Sequence, residues 1–337
     1  MADPASPQPR VVFLSYVGRS GSTTFAKRLA KEGLGVAVIP EMRTLEFLMT
    51  RASDDVGTIS ESWLKEVLQK DAQLTQYLDG KDAAPLRERI LSCDDWTAAI
   101  IELAAAALGS PTQDLYEASA IVFKFGDAAF SWPAITGKIP TAEFLYLHRH
   151  PCAVVSSQLN TQRAYHPGED MGRGDPWHCA ATWDRHVRKG AGVPGGTVLS
   201  FDEVLSGDAI SQLSQAWGLV PSELVFDFAL AEAESALHTL ADSPAVASRS
   251  SAWQDELPHN DARLVATLAE ESAARFDYQM PAPLDAKSLR AARVRHLASL
   301  VQHGRRRLRF VVEDPRLVRR HLSTRLRRYL PTIGSAS

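Results

Sequence analysis

Val11-Val12-Phe13-Leu14-Ser15-Tyr16-Val17-Gly18-Arg19-Ser20-Gly21-Ser22-Thr23-Thr24 is the stretch that decides the fold. Val11 to Val17 is a nearly unbroken apolar run of the length of a buried strand, bounded by Pro9 before it and Gly18 after it. From Thr23 to Lys31, Phe25, Leu29 and Ala30 recur at helical spacing, and Gly33 or Gly35 supplies the stop. The run Val36-Ala37-Val38-Ile39, closed by Pro40, then completes a strand, helix, strand unit long enough for a parallel crossover. The chain therefore opens as an α/β protein.

The turn inside this unit has its own chemistry. A strand that feeds a glycine-containing turn and then a helix gathers backbone N–H groups and a helix N-terminus around one point, which favours a phosphate or sulfate anion. Gly18 and Gly21 permit close backbone approach, Ser20, Ser22, Thr23 and Thr24 add hydroxyl donors, and Arg19 adds a permanent positive charge with planar donors. No lysine stands between the second glycine and the Ser/Thr pair, so the Walker A pattern is absent and Mg-ATP is disfavoured. The same residues also suit a plain turn and helix cap.

A second unit of the same kind follows in Phe144-Leu145-Tyr146-Leu147-His148-Arg149-His150-Pro151-Cys152-Ala153-Val154-Val155-Ser156-Ser157. Pro151 suits the first turn of a helix, which leaves Arg149 at the strand's C-terminal edge and Ser157 about two turns into the helix. Between the two units, from about Ser53 to Leu108, the periodicity is helical with polar loops. Strands resume at Ala120–Lys124, Glu143–His148 and Thr197–Phe201, enough for a mostly parallel, doubly wound sheet. The expected organisation is a flexible N-terminus (1–10), an α/β domain (11–284) with a helical insertion at about 52–110, and a helical C-terminal extension (285–337).

That extension carries 14 Lys or Arg against 3 Asp or Glu, in a chain whose net charge is −3, so the preceding residues hold about −14. Leu289, Val294, Leu297, Leu300 and Val301 among arginines, followed by Arg305-Arg306-Arg307, read as a basic amphipathic helix. Docking on the chain's own acidic body or contact in a homo-oligomer ranks first for it. Peripheral membrane contact comes next, and nucleic acid is not expected because no recognised module accompanies the arginines.

The two motifs together resemble the sulfotransferase family. Its members place Arg or Lys, then Ser-Gly-Ser/Thr-Thr, between the first strand and helix, and Arg-x-Pro with a serine eight residues after the arginine in the second unit. The resemblance implies a P-loop nucleoside triphosphate hydrolase-like fold and 3′-phosphoadenosine 5′-phosphosulfate as co-substrate, with no metal. It assigns Gly18, Arg19, Ser20, Gly21, Ser22, Thr23 and Thr24 to the phosphosulfate, and Arg149 and Ser157 to the 3′-phosphate. Arg249, in Arg249-Ser250-Ser251-Ala252-Trp253, resembles the basic residue that precedes a Trp-centred turn over the same phosphate. Glu41, just after the second strand, is the candidate base, with Arg19 and Lys124 to balance charge in the transfer. Phe125-Gly126-Asp127 after Lys124 departs from the Ser/Thr-Pro or Thr-x-His of many relatives. Trp132, His148, His166 and His178 are candidates for the acceptor pocket, although packed aromatics and satisfied histidines are the commoner fates.

The implied activity is sulfuryl transfer to a hydroxyl or amine of a small-molecule, carbohydrate or lipid acceptor. A P-loop kinase and a non-enzymatic membrane-associated or scaffolding protein on a degenerate nucleotide fold are the rivals. Cys93, Cys152 and Cys179 lack paired spacing, which favours neither a disulfide framework nor a zinc site. The first residues do not read as a secretion signal, and no apolar run approaches a membrane span, so a cytoplasmic location is expected.

Overall fold

The unbroken apolar run at the start of the chain has two buried faces. Val11, Phe13 and Val17 enter one apolar cluster, and Val12, Leu14 and Tyr16 enter another. This is the pattern of a central parallel strand covered by helices on both sides. The structure, a computed structural model, describes residues 8–163, 166–170, 174–228 and 249–313. Of 162–163, 166–170 and 303–313 it describes the backbone alone.

The order is β1 (Arg10–Tyr16), α1 (Ser22–Lys31), β2 (Val36–Ile39), α2 (Arg43–Arg51), α3 (Glu61–Lys70), α4 (Ala72–Tyr77), α5 (Ala84–Leu91), α6 (Trp96–Leu108) and α7 (Thr112–Glu117). Then come β3 (Ala120–Lys124), α8 (Ala128–Lys138), β4 (Glu143–His148), α9 (Pro151–Leu159), the hairpin β5 (Gln162–Arg163) and β6 (His166–Asp170), and α10 (Pro176–Gly190). Strand β7 (Thr197–Ser200), α11 (Phe201–Ser206) and α12 (Asp208–Trp217) follow, and later the helices Trp253–Glu256 and His259–Ala274. Strands β2-β3-β1-β4-β7 form one sheet in that order, every pair parallel. Phe25, Ala26 and Leu29 of α1 and Leu213 of α12 pack on one face, while Ile135 of α8 and Trp183 and Val187 of α10 pack on the other. The fold is thus a doubly wound α/β sheet of P-loop type.

Several local boundaries differ from expectation, and β1 itself takes in Arg10 and stops at Tyr16. The helices between β2 and β3 begin at Arg43 and run to Glu117, beyond both expected ends of the insertion. Strand β7 stops at Ser200 and Phe201 opens a helix. The cause is a capping box: the Ser200 hydroxyl accepts from the Glu203 N–H at 3.2 Å, and the Glu203 carboxylate accepts from the Ser200 N–H at 2.6 Å. Helix α1 starts at Ser22, one residue early, with Gly21 at φ 92 before it.

Within these helices a buried carboxylate joins α4 to the start of α2. Asp71 caps α4 through the N–H groups of Gln73 and Leu74, each at 3.1 Å, and accepts from the Thr44 N–H at 2.7 Å in the first turn of α2. Residues 1–283 and 284–337 are separate compact units. The described part of the second is dominated by the helix Ala286–Glu313.

Candidate functional site

Because the sheet is parallel, the chain leaves β1, β3 and β4 at the same edge, where open α/β sheets bind ligands. Tyr16, Lys124 and His148 are the last residues of those strands. The loop after β1 is wound tightly. Arg19 has φ 77 and Gly21 φ 92, left-handed conformations that Arg19 holds at a conformational cost. The Ser20 N–H returns to the Val17 carbonyl at 3.1 Å, and the Phe25 N–H reaches the Gly21 carbonyl at 3.0 Å.

Helix α1 has no side-chain cap and no acidic residue in its first turn. Ser22, Thr23 and Thr24 are nevertheless buried there, as is Ser20 at 1% exposure. The Ser20 hydroxyl has no hydrogen-bond partner among the described residues. A buried, unpaired hydroxyl beside the uncapped start of a helix fits an oxyanion.

A lysine comes to this loop from a different strand. Lys124, 3% exposed, donates to the Thr23 hydroxyl at 3.3 Å and lies 5.8 Å from the Tyr16 ring centre and 5.5 Å from that of Phe228. A hydroxyl and two aromatic faces compensate a buried ammonium only in part, so the position favours an anion alongside. Tyr16 turns its hydroxyl to the carboxylate of Glu41, which it donates to. Glu41 therefore stands at the ends of β1 and β2 and is held by the same tyrosine whose ring faces Lys124.

The second motif meets the first. Arg19 Nε donates to Ser157 Oγ at 3.0 Å, and Gln158 Nε2 donates to the Gly18 carbonyl at 2.9 Å. Arg149, 8% exposed, donates through Nη1 to the Arg19 carbonyl at 3.3 Å and through Nη2 to the Arg249 carbonyl. Its guanidinium also lies 4.5 Å over the Phe201 ring, while its Nε has no partner among the described residues. Burial, with Arg19 and Arg249 close by, lowers the Arg149 pKa to about 10. Burial and the charge of Arg249 lower that of Arg19 as well. Arg249 is clamped by Glu256, which also accepts from Ser156 Oγ at 3.2 Å. The hydrogen bond from Arg249 is the main cause of a lowered Glu256 pKa.

The structure thus brings Arg19, Lys124, Arg149, Ser157 and Arg249 to the edge that carries the Gly18–Thr24 loop. The acceptor candidates separate. Trp132 packs among core aromatics, 5.0 Å from Phe144 and 6.5 Å from Phe13 between ring centres. His148 is stacked on Phe276 at 3.7 Å and bonded to the Tyr278 hydroxyl at 2.8 Å, and burial lowers its pKa to about 4. His178 lies in the first turn of α10, and the side chain of His166 is outside the described residues.

Tyr16, Gln158, Phe201 and Glu256 are site neighbours that sequence reasoning passed over. Gln158 is adjacent to the motif serine and Tyr16 to the loop, so position alone was a usable signal for both. Phe201 and Glu256 come from distant segments and carry no local mark.

Fold and site together define a class: a doubly wound α/β protein with a glycine-containing turn after its first strand and a cluster of arginines beside it. Within that class the chain is similar to a sulfotransferase domain from the curacin biosynthetic pathway, at 16% identity and TM-score 0.48, over 82% of this chain and 100% of that one. It is similar also to the sulfotransferase domain of the Synechococcus PCC 7002 olefin synthase, at 14% identity and TM-score 0.48, over 83% of this chain and 98% of that one. A third similar structure is a Mycobacterium avium sulfotransferase, at 13% identity and TM-score 0.38, over 82% of this chain and 79% of that one. No protein-family model and no curated protein matches the sequence. The functional reading therefore rests on the residues of the site.

Proposed function

We propose that this protein is a sulfotransferase that moves the sulfuryl group of 3′-phosphoadenosine 5′-phosphosulfate to a hydroxyl or amine of a small-molecule, carbohydrate or lipid acceptor. The observation that supports it is the meeting of the two motifs, with Arg19 Nε 3.0 Å from Ser157 Oγ and Arg149 on the Arg19 carbonyl. Three guanidinium groups converge there, and the Glu256 carboxylate is engaged by one of them. Such an excess of partly buried positive charge suits a ligand with anionic groups at two places.

In this reading the Gly18–Thr24 loop holds the phosphosulfate, and Arg149, Ser157 and Arg249 hold the 3′-phosphate. When bound, the donor supplies an activated sulfuryl group: the acceptor oxygen or nitrogen bonds to sulfur as the bond to the phosphate oxygen breaks, and that oxygen keeps the electron pair. Glu41, positioned by Tyr16, takes the acceptor's proton. Lys124 and Arg19 balance the charge that builds on the transferred group and on the departing phosphate.

Thermal shift and isotope transfer test the proposal. Stabilisation by 3′,5′-adenosine diphosphate, and passage of labelled sulfate from the donor to an acceptor in a screen of acceptor classes, is the expected result. Stabilisation by Mg-ATP but not by 3′,5′-adenosine diphosphate would replace it with a kinase.

A further inference from the structure

The helix Ala286–Glu313 carries a row of aliphatic side chains facing solvent: Val294 is 66% exposed, Leu297 53% and Val301 56%. Their spacing, three and then four residues, puts them on one face. Leu300, 38% exposed, borders the row. Arg290 stands one turn before Val294 and Arg293 one turn before Leu297, both exposed, with Arg295 exposed nearby. The unit is strongly cationic, since residues 285–337 hold 14 Lys or Arg against 3 Asp or Glu. Among the described residues no helix is long and apolar enough to cross a membrane.

The two properties restrict what covers this face. A second copy of the same helix would cover the aliphatic row but would set arginines against arginines. Nucleic acid would take the arginines through its phosphates, yet gains little from a row of valine and leucine on the same side. An acidic protein surface would pair the charges and would also have to present an apolar row of matching length. The surface of an anionic bilayer offers both at once: acyl chains receive the aliphatic row, and phosphate headgroups receive guanidinium groups whose aliphatic stems lie along the interface.

We propose that Ala286–Glu313 is an interfacial helix that seats the protein on the surface of an anionic phospholipid bilayer. It inserts Val294, Leu297 and Val301 to the depth of the upper acyl chains and holds headgroup phosphates through Arg290, Arg293 and Arg295. The proposal is independent of the reaction assigned to the first unit.

The test is co-sedimentation of the full chain with vesicles of phosphatidylcholine alone and of phosphatidylcholine mixed with phosphatidylglycerol. Partition at least about ten-fold stronger to the mixed vesicles, weakening as salt rises, is expected. Val294→Glu with Leu297→Glu should lose that binding about ten-fold or more. Replacing Arg290, Arg293 and Arg295 together by Gln should lose roughly a hundred-fold, at about five-fold per basic residue. Both variants should keep the melting temperature of the parent, which separates lost docking from misfolding. Equal partition to both vesicle types, or to neither, overturns the proposal. So does a concentration-dependent dimer in sedimentation velocity that the Val294→Glu/Leu297→Glu variant abolishes, which assigns the face to a second copy. Binding of an oligonucleotide that the same variant leaves intact, in the absence of vesicle binding, overturns it in favour of nucleic acid. A fall in melting temperature in both variants without vesicle binding by the parent assigns the face to the protein's own body.

Discussion

Gly21 and Phe201 are packed so closely that no side chain fits between them: a Cβ placed on Gly21 would stand 2.1 Å from the Phe201 ring. The backbone at Gly21 is left-handed as well, with φ 92. The same ring carries the Arg149 guanidinium at 4.5 Å on its face, so the loop, the second motif and α11 are braced on one aromatic side chain.

Gly21→Ala should therefore fail on two counts. The left-handed backbone costs about 1–2 kcal/mol for a residue with a Cβ, and overpacking costs about 1–3 kcal/mol more. The expected outcome is a melting temperature lower by several degrees and no measurable binding of 3′,5′-adenosine diphosphate by calorimetry. Phe201→Leu in the same chain should restore part of the stability by relieving the contact, leaving the backbone cost in place.

Arg149→Lys should behave almost as badly as Arg149→Ala toward a 3′-phosphate. Lysine keeps the charge but loses the planar fork that now spans the carbonyls of Arg19 and Arg249. Affinity for 3′,5′-adenosine diphosphate should fall about 30-fold or more, equivalent to roughly 2 kcal/mol, while affinity for 5′-adenosine monophosphate stays within a few-fold. Equal losses for both nucleotides would detach Arg149 from the 3′-phosphate.

Glu256→Gln should strengthen nucleotide binding. The carboxylate now clamps Arg249 beside two further guanidinium groups, and it repels any anion that approaches them. Its removal should lower the dissociation constant of 3′,5′-adenosine diphosphate about three- to ten-fold and steepen its salt dependence. The stability change should stay below about 1 kcal/mol, because the pair is partly open to solvent.

Glu41→Gln separates chemistry from binding. Loss of the proton acceptor should reduce kcat by about 100-fold or more with donor affinity unchanged. Tyr16→Phe should reduce kcat by less, since the carboxylate remains and only its hydrogen-bonded tether from β1 is gone. A Glu41→Gln enzyme with full turnover would move the base elsewhere.

Acid should destabilise the protein through His148. Burial holds its pKa near 4, below the ordinary value of 6.5. Only the neutral ring is comfortable against Phe276 and the Tyr278 hydroxyl. The unfolded chain binds the proton more readily, so this contribution to stability is present above about pH 6.5 and is lost as pH falls toward 4. His186, also depressed to about 4 mainly by burial, adds to the same slope. Melting temperature measured across that window should decline, and His148→Phe should decline less steeply.

Local patterns in the sequence were sufficient for the sheet and insufficient for the site's contacts. Val36–Ile39, Ala120–Lys124 and Glu143–His148 were readable because strands buried on both faces are apolar without interruption. The strand order was not readable, since β3 enters between β2 and β1 after a long helical stretch, and hydropathy does not encode register. The expected strand Thr197–Phe201 runs one residue too far although Ser200-x-x-Glu203 is a capping signal, because the apolar and β-branched residues before it dominate the local pattern. Within the site, the Gly18–Thr24 loop is local and legible. The pairing of Arg19 with Ser157 and of Tyr16 with Glu41 depends on chain returning from remote positions, which spacing does not reveal.

Asp71 has a consequence for how such a protein can change over time. Its carboxylate holds the Thr44 N–H at the start of α2, three residues beyond Glu41, while Arg19 is braced by Ser157 and Arg149 from the middle of the chain. A helical segment exchanged between β2 and β3 would have to keep an aspartate at this joint to leave the start of α2, and the residues just before it, where they stand.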